Sequence, residues 1–307
     1  MKTHDDMIKG GEPLKIPDDI LKSGKAGECI LFLGAMASAP SPEDSPYHYK
    51  KAPPGGAELS RRLAERCGYP SQDVTNLPRV ALYYERRPGG SRRALVQAIK
   101  DEISGPGDDP YLPSPALEML AALPFRIIIT TNYDRLFDIA LSRANTKSGR
   151  PKIPIVHKYN PSDDPPKMAP LDPEEERPVF LKLHGDIEVP ESVVVTEEDY
   201  IRFIQKMSVV HLHPIHEHIR ARMNTWPILF IGYSLKDYNL RLLFRTLRWH
   251  LDVADIPLSF SVDPYPDDLI ISVWQHGDKP MVSFVEHDLW DFVPLLYKEC
   301  TGVDYHE

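Results

Sequence analysis

Six short apolar runs, "CILFLG", "RIIITT", "VFLKLHG", "ILFIGYS", "LSFSVD" and "MVSFVEHD", recur at wide spacing from Cys29 to Asp288. They are rich in Val, Ile and Phe and show little polar alternation. Strands covered on both faces need that pattern, because neither row of side chains meets water. Helical patterns lie between them: "GAELSRRLAERCG", stopping at Gly68, "SRRALVQAIKDEI", and "YDRLFDIALSRA" directly after the second run. Strands alternating with helices predict an α/β doubly wound, Rossmann-like parallel sheet.

About ninety residues separate the first run from the second, more than one crossover helix requires. The expectation is one domain over residues 1–307, with a Rossmann-like core at 26–40 and 124–290 and an inserted helical subdomain at about 41–123. Prolines, 31 in all, cluster between elements, as in "APSPEDSPYHYKKAPPGG" and "YNPSDDPPKMAPLDPEEERP". Pro lacks an N–H and has a fixed φ, so such stretches read as irregular loops.

In a doubly wound sheet, ligands gather outside the carboxyl ends of the strands. Those ends read "GAMAS", "TTNYD", "LHGD", "GYSLKD" and "SVD". Gly, Ser, Asn and Asp are ordinary turn residues, so one such end carries little weight. Their recurrence at successive strand ends, with a histidine among them, points to a site. The first end also resembles the small-residue loops that bring backbone N–H groups to a phosphate.

The ordered set Gly-Ala-x-Ala-Ser, Thr-Thr-Asn-Tyr-Asp, Leu-His-Gly and Gly-Tyr-Ser-Leu-x-Asp, over roughly Ile30 to Asp263, resembles the sirtuin-like NAD-consuming family, and its bacterial antiviral-defence branch more than the protein deacylases. The resemblance implies that Gly34, Ala35 and Ser38 lie on the dinucleotide phosphates and neighbouring ribose, with Thr131 also in the cofactor-binding set. It implies that Asn132 and Asp134 face the nicotinamide ribose, with His184 as the catalytic histidine. Gly232 and Ser234 match residues that hold the adenosine-side ribose. Asp263 is a looser match, at a strand end where a carboxylate could take ribose hydroxyls.

These residue types suit the chemistry. Cleavage of the nicotinamide glycosidic bond develops an oxocarbenium-like cation, which a carboxylate or carbonyl dipole stabilises while an imidazole accepts the proton of the attacking hydroxyl or water. Simpler readings stand beside each role. His184 could be a core histidine, Asn132 and Asp134 could cap the following helix, Ser234 with Asp237 could start another, and "DPYPDD" after Asp263 is also an ordinary turn.

Two departures from the family matter. The paired cysteines of the deacylase zinc module and its Pro-Asp-Phe-Arg segment are absent, which argues against an acyl-lysine channel and leaves water as the acceptor, with cyclisation the other outcome. Met36 stands where the family usually has a second glycine, the residue that permits close approach to a pyrophosphate. The favoured reading turns Met36 into the core as flexible filler; others let it restrain the pocket or mark a silent relative.

The formal net charge of −9 disfavours a protein devoted to gripping nucleic acid. Arg241, Arg245 and Arg248 in "RLLFRTLRWH" are read as partners for acidic loops or an oligomer contact. The three cysteines, Cys29, Cys67 and Cys300, form no C-x-x-C pair and fit a reducing compartment. No signal-peptide core and no apolar run of about eighteen residues occurs, so a cytoplasmic protein without a membrane span is expected. "HLHPIHEH" packs His211, His213, His216 and His218 together, but it lacks H-E-x-x-H spacing and holds Pro214; no metal is expected.

The expected function is an NAD hydrolase releasing nicotinamide and ADP-ribose, with NAD as substrate, acting as effector of an antiphage system. The resemblance further implies a homo-oligomer paired with a HerA-type hexameric DNA-translocating ATPase, or less often an Argonaute-like protein. The alternative is a catalytically silent NAD- or ADP-ribose-binding scaffold or sensor that regulates a partner ATPase or nuclease.

Overall fold

The computed structural model describes residues 14–162, 172–209, 212–233, 235, 244, 256–276 and 279–306. Seven strands form one sheet: β1 (Ile30–Leu33), β2 (Ile127–Thr130), β3 (Ile155–Lys158), β4 (Val179–Lys182), β5 (Ile228–Ile231), β6 (Ser259–Val262) and β9 (Val282–Val285). Their order is β3-β4-β2-β1-β5-β6-β9, and every neighbouring pair is parallel. β7 (Gln275–His276) and β8 (Lys279–Pro280) make a separate antiparallel hairpin. From central β1 the chain builds outward through β2 and then returns to start the other half at β5. The β1–β5 boundary is therefore the switch point where a doubly wound sheet opens a crevice.

All six apolar runs become strands. Every residue of β1, β2, β4, β5 and β6 is buried. Alternate side chains enter opposite layers. Leu31 and Leu33 join Ile128, Phe180, Leu229 and Ile231 on one face, packed by α1 (Asp18–Ala26), α5 (Pro115–Ala122), α6 (Leu136–Arg143) and the C-terminal helix Leu289–Thr301. Ile30 and Phe32 join Ile127, Ile129, Ile228 and Phe230 on the other, under α7 (Glu197–Met207) and α8 (Glu217–Thr225). Burying one such side chain contributes about 1.5–3 kcal/mol before chain entropy is counted.

Two elements escape the sequence reading. β3 is an edge strand with exposed Val156 and three half-buried neighbours, so its run is short and mixed. The β7–β8 hairpin has only two residues per strand. Because β3 comes between β2 and β4 in the chain, the recognised strand ends are not strictly consecutive.

Between β1 and β2 lie α2 (Gly56–Cys67), α3 (Leu77–Arg86), α4 (Arg92–Ser104) and α5. The first three share a third apolar cluster built on Leu59, Leu63, Val80, Leu95 and Ile99, which also takes Ile187, Val193 and Val195 from the segment after β4. α5 packs instead with α6 on the first layer. Ser91 starts α4 by accepting the Ala94 N–H, and Gly68 ends α2 in the left-handed region at φ +61°. No described helix is long and apolar enough to cross a membrane.

Candidate functional site

The ends of β1 and β5 meet so closely that side chains are excluded. Gly34 donates its N–H to Ile231 O at 3.0 Å, and Met36 donates to Gly232 O at 3.1 Å. Gly232 adopts φ +71°, and a Cβ there would stand 1.9 Å from the Ala37 nitrogen. A Cβ on Gly34 would stand 2.4 Å from both Gly232 O and the Tyr233 ring. Both glycines are thus required by the approach of two backbones. The chain then winds through a 3₁₀ turn, Ala35–Ser38, with Ala37 N–H bonded to Gly34 O.

β2 is stitched to β1 by its own polar end. Thr130 Oγ1 donates to Leu33 O at 3.0 Å and accepts the Asn132 N–H at 3.0 Å. The Asn132 side-chain nitrogen donates to Gly34 O at 3.0 Å, which leaves its amide oxygen as the group of that side chain suited to a ligand. Asp134 accepts the Leu136 N–H at 2.9 Å and so starts α6. The helix therefore begins at Leu136, later than the sequence pattern implies. Burial pushes the Asp134 carboxyl above the ordinary carboxylate range; the Leu136 N–H and Lys182 oppose that rise, and Asp138 adds to it.

His184 follows β4 by two residues and is 5% exposed. Its ring meets the edges or faces of Tyr200 and Phe203 at centroid distances of 5.2 and 5.4 Å, nearly perpendicular to both. Such packing holds an imidazole in one orientation.

A cleft of about 330 Å³ opens over these strand ends. Thr131, Asn132, Asp134 and His184 line it together, with Ala35 and Gly232 at the β1–β5 side. Gly34 is not on its lining, and its N–H is already engaged by Ile231. Ser38 is buried behind the turn, where its hydroxyl has no hydrogen-bond partner among the described residues. Asp263, at the end of β6, lies off the cleft and accepts the Tyr265 N–H at 2.9 Å, as a turn carboxylate does. Ser234, Asp237, His211, Arg241, Arg245 and Arg248 lie outside the described residues.

The reading of Met36 as core filler is corrected. Its side chain is 52% exposed and lines the cleft, and its sulfur would stand 3.1 Å from a Cβ on Gly55. The close contact between Gly232 and the 3₁₀ turn leaves no inward space for it. Residues not singled out from the sequence complete the walls: Tyr133, Tyr200 and Tyr233 on the sheet side, and Pro53, Pro54, Leu59, Leu77 and Ile103 from the helical stretch. Tyr233 and Tyr133 lie inside recognised motifs, so position could have flagged them. Tyr200 carries no sequence signal. The Tyr233 hydroxyl bonds Thr131 Oγ1 at 3.0 Å, a link from β5 to β2 across the end of β1.

In the histidine-rich stretch, His213 is buried and its Nδ1 accepts the Ile215 N–H at 3.1 Å. His216 Nδ1 accepts the His218 N–H at 3.4 Å, and donor atoms of His216, Glu217 and His218 lie within 4.8 Å of one another.

A family profile described as "SIR2-like domain" matches residues 126–275, a span holding β2 through β6 and with them Asn132, Asp134, His184 and Gly232. That match covers 150 of the chain's 307 residues, just under half. The chain is 30% identical over 194 residues to an NAD(+) hydrolase ThsA of Enterococcus faecium, covering 63% of this chain and 36% of that protein. It is likewise 30% identical over 192 residues to NAD(+) hydrolase ThsA of Bacillus cereus (strain MSX-D12), covering 62% and 36%. Defense-associated sirtuin 2 of Bacillus subtilis is 26% identical over 252 residues, covering 81% of this chain and 22% of that protein. The chain thus spans about a third of the length of the ThsA relatives it matches. The profile begins just before β2, so it leaves out the Gly34–Ser38 turn and helices α2–α4 that wall the cleft.

Proposed function

We propose that this chain is an NAD glycohydrolase of antiphage defence. The observation that carries the reading is the shared cleft of Asn132, Asp134 and His184 at the switch point of the sheet, together with similarity to proteins named NAD(+) hydrolase.

In this reading the bond between C1′ of the nicotinamide ribose and the pyridinium nitrogen breaks, and its electron pair leaves with neutral nicotinamide. The positive charge passes to the ribose ring, where the Asn132 amide oxygen and the Asp134 carboxylate oppose it. Water attacks C1′ and gives its proton to the His184 imidazole, the general base of this reading. NAD and water thereby become ADP-ribose, nicotinamide and a proton. Ala35, Thr131 and Gly232 are assigned to the rest of the dinucleotide, with Gly34 shaping the turn rather than touching the phosphates. Ser38 and Asp263 join the proposed binding set if loading the cleft moves their loops, and Ser234, outside the described residues, is assigned to the adenosine-side ribose as its motif implies.

We assign residues 1–307 to one SIR2-like unit in which α2–α4 form a helical wall over the cleft. The unit acts in the cytoplasm as a homo-oligomer, and a HerA-type ATPase supplies its activation. The second reading, a silent NAD- or ADP-ribose-binding scaffold, draws support from Met36 and the Tyr233–Thr131 link, which narrow the cleft. Incubating the purified chain with NAD, alone and with the ATPase from a neighbouring gene, separates the two. The glycohydrolase releases nicotinamide and ADP-ribose in equal amounts and loses both in Asn132→Ala. Binding of ADP-ribose without release of nicotinamide in either assembly supports the scaffold.

A further inference from the structure

The strand that leads to His184 carries a lysine where a sheet interior calls for an apolar residue. Lys182 is wholly buried, in register with Thr130 on β2. Burying an ammonium costs several kcal/mol unless it is paired and hydrogen-bonded. Its Nζ donates to the Asp134 backbone carbonyl at 2.6 Å and the Asp138 carboxylate at 3.1 Å, and forms an ion pair with the Asp186 carboxylate at 2.9 Å.

Those acceptors belong to two different parts of the site. Asp134 and Asp138 lie in the loop and first turn of α6, just after Asn132. Asp186 follows His184 by two residues and is itself wholly buried, with Lys158 of β3 adding a second cation at 3.1 Å. Burial alone would push the Asp186 carboxyl up; the Lys182 charge, with hydrogen bonds from Lys182, the Glu188 N–H and Lys158, brings it below the ordinary carboxylate range. Through these contacts the one Lys182 side chain ties the Asn132 loop to the His184 loop. The turn between is tight: Gly185 has φ +80°, and a Cβ there would stand 2.1 Å from Ser192 O.

We propose that Lys182 is a positioning residue, with Asp186 as its counter-charge, which fixes the separation of Asn132 and His184 across the cleft. This rests on the glycohydrolase reading for its catalytic consequence, but the coupling of the two loops is independent of it. Reacting groups displaced by about 1 Å lose on the order of a hundredfold in rate. Removing Lys182 alone leaves Asp186 facing a weakened partner set, which is strongly destabilising. The test therefore uses the double variant Lys182→Met/Asp186→Asn, which deletes both charges at similar volume.

Two measurements are made on the whole chain, with Lys182→Arg as the conservative control. Hydrogen–deuterium exchange of peptides covering residues 131–138 and 184–189 should rise in both segments of the double variant and stay near wild type elsewhere. Turnover of NAD should fall about a hundredfold in kcat, with KM within about threefold, and Lys182→Arg should recover part of the loss. Unchanged exchange in either loop, or a wild-type kcat in a folded double variant, overturns the proposal. If wild type itself releases no nicotinamide, the glycohydrolase reading fails and the exchange result alone decides the role of Lys182.

Discussion

Gly232→Ala tests the close approach of β1 and β5 on which the cleft is built. At φ +71° an alanine pays about 1–2 kcal/mol for the left-handed conformation. The new Cβ would also lie 1.9 Å from the Ala37 nitrogen and 2.5 Å from the Met36 carbonyl carbon, both backbone atoms that cannot rotate away. Relief requires the two loops to part by more than an ångström, which breaks the bonds from Gly34 N–H to Ile231 O and from Met36 N–H to Gly232 O. At about 1 kcal/mol net for each bond, the total is about 3–4 kcal/mol. For a chain of this size that corresponds to a fall in Tm of roughly 5 °C. Gly68→Ala is the control, since φ is +61° there and nothing lies within 4 Å of the added Cβ. It should cost only the left-handed penalty of about 1–2 kcal/mol, roughly 2 °C. Scanning calorimetry of the two variants beside wild type reads the difference, which belongs to the loop contact alone. Equal shifts in Tm would refute the argument that the two backbones meet at Gly232.

Three further outcomes are expected. Met36→Ala should change stability by less than about 1 kcal/mol, because the side chain is half-exposed; a loss of about 2–5 kcal/mol, typical of a buried Met, would restore the core-filler reading. The same variant should raise the affinity for NAD several-fold by opening the cleft, measured by calorimetric titration, and an unchanged affinity would remove Met36 as a restraint. Burial, with the Arg220 charge, holds the His213 imidazole down at about 4 against an ordinary 6.5, while its contact with Ile215 opposes the shift. The unfolded chain then binds the extra proton, so stability present above about pH 6.5 is lost as pH falls toward 4, on the order of 2 kcal/mol by pH 5. Urea unfolding of wild type and His213→Gln at pH 7.5 and pH 5 should show that loss only in wild type.

The sheet was legible because five of its strands are buried on both faces and therefore appear as unbroken apolar runs. β3 was not, since an edge strand with Val156 in solvent and His157 and Lys158 only half-buried has no such run. The strand-end motifs named Asn132, Asp134 and His184, which share the cleft. They did not distinguish a glycine needed by a phosphate from one needed by another backbone: Gly34 is explained by Gly232 and Tyr233. Nor did they separate a carboxylate facing a cleft from one closing a turn, as Asp263 does. Lys182 carries no sequence signal because it interrupts the apolar run "VFLKLHG" without resembling a motif; its meaning depends on Asp138, 44 positions away in sequence. The helical wall of Pro53, Leu59, Leu77 and Ile103 comes from a stretch whose amphipathic pattern shows which residues are apolar, not which face a ligand.

The central claim is that this cleft binds NAD and that His184 acts in its cleavage. The most direct measurement pairs calorimetric binding of NAD with nicotinamide release for wild type and His184→Ala, each alone and with the proposed ATPase partner. The account predicts binding within about threefold for the two proteins, with turnover only in wild type. Turnover that survives in His184→Ala, or NAD binding by wild type with no nicotinamide released, would contradict it.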